Sequence, residues 1–224
     1  MSTRDETAAP DSPTRGYIPA LGLRALTPLY DPLLRRVMRE ERFKLRLIQQ
    51  ADVRPGMRVL DLGCGTGTLT SMIKQSQREA EVIGIDPDPA VLVQARAKAA
   101  RAGGEIVFDQ GFASDLPYLN CSFDRVLASM MIHHLASDAK RRAFAEVLRV
   151  LRPGGQFHIV DFGPARSFAM RMMASIMRRL EETEDNFAGR LPGMLAEAGF
   201  QDVREAGSLA TALGPLTFLR AIRL

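Results

Sequence analysis

A chain of 224 residues, 46% hydrophobic and 25% charged, is long enough for one well-cored domain, too short for two of ordinary size, and too apolar for a disordered polymer. Its formal net charge of +4 comes mainly from arginine, since four of the thirty basic residues are lysine, and it permits nucleic-acid or anionic-surface contact without requiring either. No apolar run approaches the ~18 to 20 residues of a spanning helix. The two cysteines, Cys64 and Cys121, stand outside any metal-ligand spacing and suit a reducing, cytoplasmic setting with no bound metal.

In chain order, residues 1–16 mix both charge signs with proline and read as a disordered tail, neither a signal peptide nor an anchor. Residues 17–50 form a helical cap: after prolines at 19, 28 and 32, Leu33 to Gln50 is predicted as an amphipathic helix. Leu34, Val37, Met38, Leu45 and Ile48 are expected inward, with Arg35, Arg39, Arg42 and Arg46 opposite. The first strand, Val59 to Leu62, leads into the stretch RVLDLGCGTGTLT at 58–70, and the helix after Gly67 carries Leu69, Met72 and Ile73 inward. Further strands are predicted at Glu81–Ile85, Glu105–Phe108, Arg125–Ser129 and Phe157–Asp161. Helices lie between them, Asp88 to Ala102 (stopped by Gly103 and Gly104) and Ser137 to Leu151 (ended by Pro153-Gly154-Gly155). That alternation means a parallel sheet covered on both faces. Residues 162–195 then hold a Met-rich helix from about Ser167 to Leu180, followed by a helix at Leu191–Ala198 and strands at Val203–Ala206 and Leu216–Ile222.

Ligand class follows from the glycine spacing. A dinucleotide fingerprint wants G-x-G-x-x-G, but here glycines stand at 63, 65 and 67, with Asp61 ahead of them. A carboxylate there repels a pyrophosphate and suits an ammonium group. Asp86 ends the second strand, where an acid can take both ribose hydroxyls. An amino-acid end plus a ribose describes S-adenosylmethionine.

These residues resemble the class I S-adenosylmethionine-dependent methyltransferases, and within them the ubiquinone/menaquinone C-methyltransferase-like group. SDLPYLNCSFD at 114–124, MMIHHL at 130–135, LRVLRPGG at 148–155 and AEAGF at 196–200 carry the resemblance further. It implies a Rossmann-like, doubly wound α/β sheet of seven strands, mostly parallel with an antiparallel edge hairpin, over residues 17–224. It also implies that Asp61, Gly63 and Gly65 surround the methionine moiety, with Cys64 and Gly67 in the same loop. Asp86 would bind the ribose, Pro87 and Asp88 would flank the adenine, and Ser129 would border the crevice. The chain departs from the family at Gly111-Phe112-Ala113, where relatives usually carry Gly-Asp-Ala. Phe112 cannot accept the adenine amino group's hydrogen bond and is expected to pack on the ring, with Asp115 and nearby backbone N–H groups supplying polarity.

Methyl transfer depends chiefly on alignment and exclusion of water. Where the acceptor must lose a proton, His133, His134 and Asp161 are the candidate bases, with turn-capping and packing as their alternative roles. The resemblance places the N-terminal cap and the insertion over the acceptor, making Tyr30, Met172 and Met173 candidate substrate contacts. If that acceptor were lipid-tailed, the arginine face at 35–46 would suit peripheral contact with an anionic membrane.

Nucleic-acid methylation is disfavoured. Ser129-Met130-Met131-Ile132 stands where base-amine enzymes need a polar residue, two prolines and an aromatic, and the chain has no Pro-Cys motif. Expected instead is C- or O-methylation of a small apolar acceptor, with a quinone-like compound as one candidate. N-methylation of an amine or phospholipid headgroup stands second, and cofactor binding without transfer third.

Overall fold

The computed structural model describes residues 40–102, 105–164, 183–211 and 214–224. Tyr30, Met172, Met173, the N-terminal tail, the Met-rich helix and the glycine pair at 103–104 lie outside them. Among the described residues no helix is long and apolar enough to cross a membrane.

Helix α1 (Glu40–Ala51) precedes β1 (Arg58–Leu62), α2 (Thr68–Ser76), β2 (Glu81–Asp86), α3 (Pro89–Ala102), β3 (Val107–Gln110) and β4 (Phe123–Ser129). A 3-10 turn at Ile132–His134 leads to α4 (Ser137–Val150), β5 (Leu151–Phe162), α5 (Glu184–Phe187), α6 (Leu191–Glu197), β6 (Gln201–Thr211) and β7 (Gly214–Ile222). The seven strands form one sheet in the order β3-β2-β1-β4-β5-β7-β6. Strands β1 to β5 pair in parallel, whereas β7 runs antiparallel to both β5 and β6. This is the expected sheet with its antiparallel edge hairpin.

Side-chain alternation along the strands feeds two cores. Leu60, Val126, Phe157 and Ile159 pack against Phe144, Val147 and Val150 of α4 and Leu195 of α6. Val59, Leu127, Val160 and Phe218 meet Phe43, Leu47 and Ile48 of α1 and Leu69 and Ile73 of α2. Near-continuous apolar runs of this kind belong to strands covered on both faces.

Four departures of the observed elements from expectation bear on how the sheet is built and covered. Leu45 is 45% exposed rather than inward, because Phe43, Leu47, Ile48 and Ala51 form the stripe that docks. Strand β3 starts two residues late, since its pairing sets Val107 against Ile83 and Gln110 against Asp86. Pro153-Gly154-Gly155 is absorbed into β5, as Leu151 already pairs with Phe123 and Gly154 N–H donates to Arg223 O at 2.7 Å. Strand β6 runs 11 residues, held by β7 along its length from Gln201 opposite Ile222 to Thr211 opposite Gly214.

Parallel order reverses between β1 and β4, so the crevice beyond their carboxyl ends is where such a sheet takes a ligand. Leu62, Asp86, Gln110, Ser129 and Phe162 end the five strands there.

Candidate active site

Beyond β1 the chain turns sharply and enters α2 at Thr68. Cys64 N–H donates to Ile85 O at 3.0 Å, tying the loop to β2, and Gly67 N–H donates to Cys64 O at 2.9 Å, closing it. Cys64 is buried, and burial pushes its thiol up, so it fills the turn as a neutral side chain. A Cβ on Gly63 would lie 2.8 Å from Met131 Cβ, and one on Gly67 would lie 2.9 Å from Ala95 Cβ; those two glycines permit close packing. Gly65 differs. Its φ of +52° needs glycine, yet a Cβ there would meet nothing within 4 Å, so it faces open space above the loop.

Asp86 is oriented toward this loop. Gly65 N–H donates to Asp86 Oδ2 at 2.9 Å and Asp88 N–H to Oδ1 at 3.0 Å, while Gly111 N–H donates to the Asp86 carbonyl at 3.2 Å. Gln110 Nε2 reaches Pro87 O at 3.2 Å. Asp86, Pro87, Asp88 and the segment 111–113 therefore gather on one side of the crevice. Partial burial raises the Asp86 pKa, and the two N–H donors oppose it. Phe112 is 44% exposed, its backbone bridged to Asp115, and Ala113 packs on the core.

Asp61 takes a different position from the open one its place before the glycines suggests. It is 1% exposed and accepts the Thr70 hydroxyl at 2.6 Å, buried against the first turn of α2. Burial pushes its pKa to about 6, with the Thr70 bond and the Lys44 charge offsetting part of the rise. The local signal for Thr70 is a hydroxyl nine residues beyond Asp61 on the first turn of the helix. Lys98 has no such local signal. Its Nζ donates to Thr68 Oγ1 at 2.7 Å and Thr66 Oγ1 at 3.2 Å, bringing a cation from α3 to the loop.

Across the crevice, β4 ends at Ser129, whose hydroxyl is buried without a partner among the described residues. Met130 follows at φ +55°, outside the usual range for a non-glycine residue, and turns the chain so that Met131 sits over Gly63. The 3-10 turn then docks on Asp161. Its carboxylate accepts Ile132 N–H at 2.8 Å and Phe162 N–H at 2.7 Å, and pairs with His133 Nδ1 at 2.7 Å. Burial alone would raise the Asp161 pKa, but the His133 imidazole and these donors outweigh it and hold the group ionised below the ordinary range. His133 is 4% exposed and stacks at 4.0 Å on His134, whose own pKa burial lowers to about 4. His134 is thus neutral at physiological pH, and the Asp161–His133 pair carries the polarity of this wall.

Comparison with known proteins bears on this geometry. A methyltransferase-domain family model matches residues 59–155, the span from β1 to the start of β5. A methyltransferase of Synechocystis is 34% identical over 169 residues, covering 74% of this chain and 77% of that protein. The chain belongs to the class I S-adenosylmethionine-dependent methyltransferases. A demethylmenaquinone methyltransferase of Deinococcus radiodurans is 30% identical to this methyltransferase over 170 residues, 75% of this chain and 69% of that one. Among solved structures, the YcgJ protein of Bacillus subtilis superposes with a TM-score of 0.68 at 19% identity, covering 82% and 98% of the two chains. Geranyl diphosphate methyltransferase, in complex with GPP and sinefungin, gives 0.68 at 16% identity over 83% and 78%. These structural likenesses establish the methyltransferase fold.

Proposed function

We propose that this methyltransferase methylates a ring carbon of a small, apolar, quinone-like acceptor. The observation that carries the cofactor half of this reading is Gly65, which faces open space while its N–H orients the Asp86 carboxylate. With two backbone donors fixing Asp86, its remaining lone pairs suit the two hydroxyls of a ribose. The loop from Gly63 to Gly67 cradles the amino-acid end, and Pro87, Asp88 and the exposed Phe112 ring flank the adenine. Phe112 replaces a hydrogen bond by stacking. Asp61, buried beneath Thr70, anchors the loop and acts on the ligand through that scaffold.

When bound, S-adenosylmethionine supplies an electrophilic methyl group on a sulfonium. The chain's own task is to align the acceptor and remove its proton. Asp161 holds the Nδ1–H of His133 and thereby leaves Nε2 as the basic nitrogen of the ring. His133 takes the proton of a ring hydroxyl, and the resulting electron density makes the neighbouring carbon nucleophilic. The similarity to the Deinococcus demethylmenaquinone methyltransferase supports a quinone-like acceptor.

Titration calorimetry with S-adenosylmethionine and S-adenosylhomocysteine tests the cofactor site. Saturable binding of both in the wild type, weakened at least tenfold in Asp86→Ala without loss of folding, is the expected result. Unchanged affinity in the variant would remove Asp86 from the site. Labelled methyl donor with a hydroquinone acceptor then tests transfer, and label appearing only on amines would overturn the carbon-acceptor reading.

A further inference from the structure

Asp161 has a second neighbourhood. Beyond it lies a cavity of about 230 Å³, lined by Asp161, Thr217 and Leu219 from the sheet, Glu205 at the edge, and Asn186 and Leu191 from the two short helices. Asn186 is 1% exposed, and among the described residues neither the oxygen nor the nitrogen of its carboxamide has a hydrogen-bond partner. Buried amides are almost always paired, because an unpaired one forfeits its water without compensation. An asparagine held this way at the wall of a cavity beside the site weakens the fold, which is the pattern of a group kept for a ligand.

We propose that this cavity receives the oxygen-bearing head of the acceptor and that Asn186 reads it, as a positioning and specificity residue for the methyl-transfer reaction; the inference rests on the quinone-like reading above. A carboxamide offers a donor and an acceptor together, which matches a neutral hydroxyl able to do both. Asp161 places a carboxylate beside the cavity, so a phosphate or carboxylate head is disfavoured. Asp161 already accepts backbone N–H groups and the His133 ring, leaving it poorly placed to hold an ammonium. Volume points the same way, because the cavity is smaller than the ~300 to 1,000 Å³ that encloses a drug-sized ligand. It takes the hydroxyl-bearing ring and leaves the rest of the acceptor, a fused ring or a tail, toward its open side.

The test measures binding of 1-naphthol, naphthalene and 2-phenylethylamine to the full chain saturated with S-adenosylhomocysteine, in wild type, Asn186→Leu and Asn186→Ser. Wild type is expected to bind 1-naphthol at least tenfold more tightly than naphthalene, since a site built to pair a hydroxyl rejects the analogue lacking it. Asn186→Leu should equalise the two, keep its affinity for S-adenosylhomocysteine and melt at a higher temperature than wild type. A purely structural asparagine would give a lower melting temperature and an intact preference, which would overturn the assignment. Asn186→Ser, shorter but still polar, keeps the test open if the leucine variant does not fold, and it too should lose the preference. Wild type that binds S-adenosylhomocysteine but neither naphthyl compound would sink the quinone-like reading itself. A tenfold preference surviving in both variants would sink Asn186 alone, and selective binding of 2-phenylethylamine would replace the hydroxyl by an amine.

Discussion

At the glycine-loop end of the crevice each acid already has its partners: Asp61 holds Thr70, and Asp86 holds the N–H groups of Gly65 and Asp88. Toward the far end, Asn186 and Thr183 are buried with polar atoms that have no partner among the described residues. The carboxylates of the first end are satisfied within the protein, whereas on our proposal the Asn186 carboxamide is satisfied by the acceptor. A cofactor can be gripped largely by backbone, and backbone is positioned by the fold at little cost in side-chain ordering. An acceptor is distinguished from its analogues by side-chain groups that go unpaired without it.

The largest expected effect sharpens this comparison between the two ends. His133→Asn should lower kcat roughly a hundredfold or more, the usual yield of a positioned base. The KM for S-adenosylmethionine should hold, because the donor's contacts are at the other end. Equal losses in kcat and in cofactor affinity would erase the division between the two ends.

Two glycines of the same loop separate packing from ligand contact. Gly67→Ala introduces a Cβ 2.9 Å from that of Ala95 at a φ of +71°, and should destabilise the protein by about 2 to 4 kcal/mol. Gly65→Ala meets no atom within 4 Å, so strain at its φ of +52° should lower stability by only about 1 to 2 kcal/mol. Its Cβ enters the space above the loop, however, and S-adenosylhomocysteine affinity should fall at least tenfold. Thermal melts with calorimetry decide the matter, and an unchanged affinity in Gly65→Ala would mean that the loop is not the cradle.

A smaller effect is electrostatic and concerns the glycine-loop end against the sheet beneath it. His158 is fully buried, with Nδ1 3.0 Å from Gln50 Nε2, and burial lowers its pKa to about 3. Its folded pKa lies below the ordinary 6.5, so the stability it contributes is present above that value and lost as pH falls toward 3. Asp61 works in the opposite sense. Its folded pKa of about 6 exceeds the ordinary 3.8, so the fold is favoured at low pH and loses that share as pH rises through 6. The two slopes oppose each other between pH 4 and 6. Asp61→Asn removes one of them, and its loss of stability on acidification across that window should be steeper than wild type by about 1.4 kcal/mol per pH unit. Parallel urea-denaturation profiles for the two proteins would contradict the assignment.

What the sequence determined by itself was local. The strand-to-helix alternation, the three glycines, and the acids near the ends of β1 and β2 follow from apolar periodicity and turn chemistry within a few residues of each position. The cofactor end was legible for that reason. Tertiary structure decided which way the readable groups point. Asp61 turned inward because Thr70 offers its hydroxyl there, and Leu45 faced water because the sheet takes the Phe43 stripe. Arg46, read as part of an outward basic face, instead donates to the carbonyls of Ser208 and Ala206 on β6 and lies over the Phe218 ring. At the far end His133, His134 and Asp161 were legible as candidate bases, but their pairing and the cavity beside them were not. Asp161 meets His133 across 28 residues of chain, and the cavity joins Asn186 to Thr217 through elements with no local signal of their meeting. Periodicity reports the face a residue presents, whereas a site made by convergence of distant segments exists only once the sheet has set its strand order.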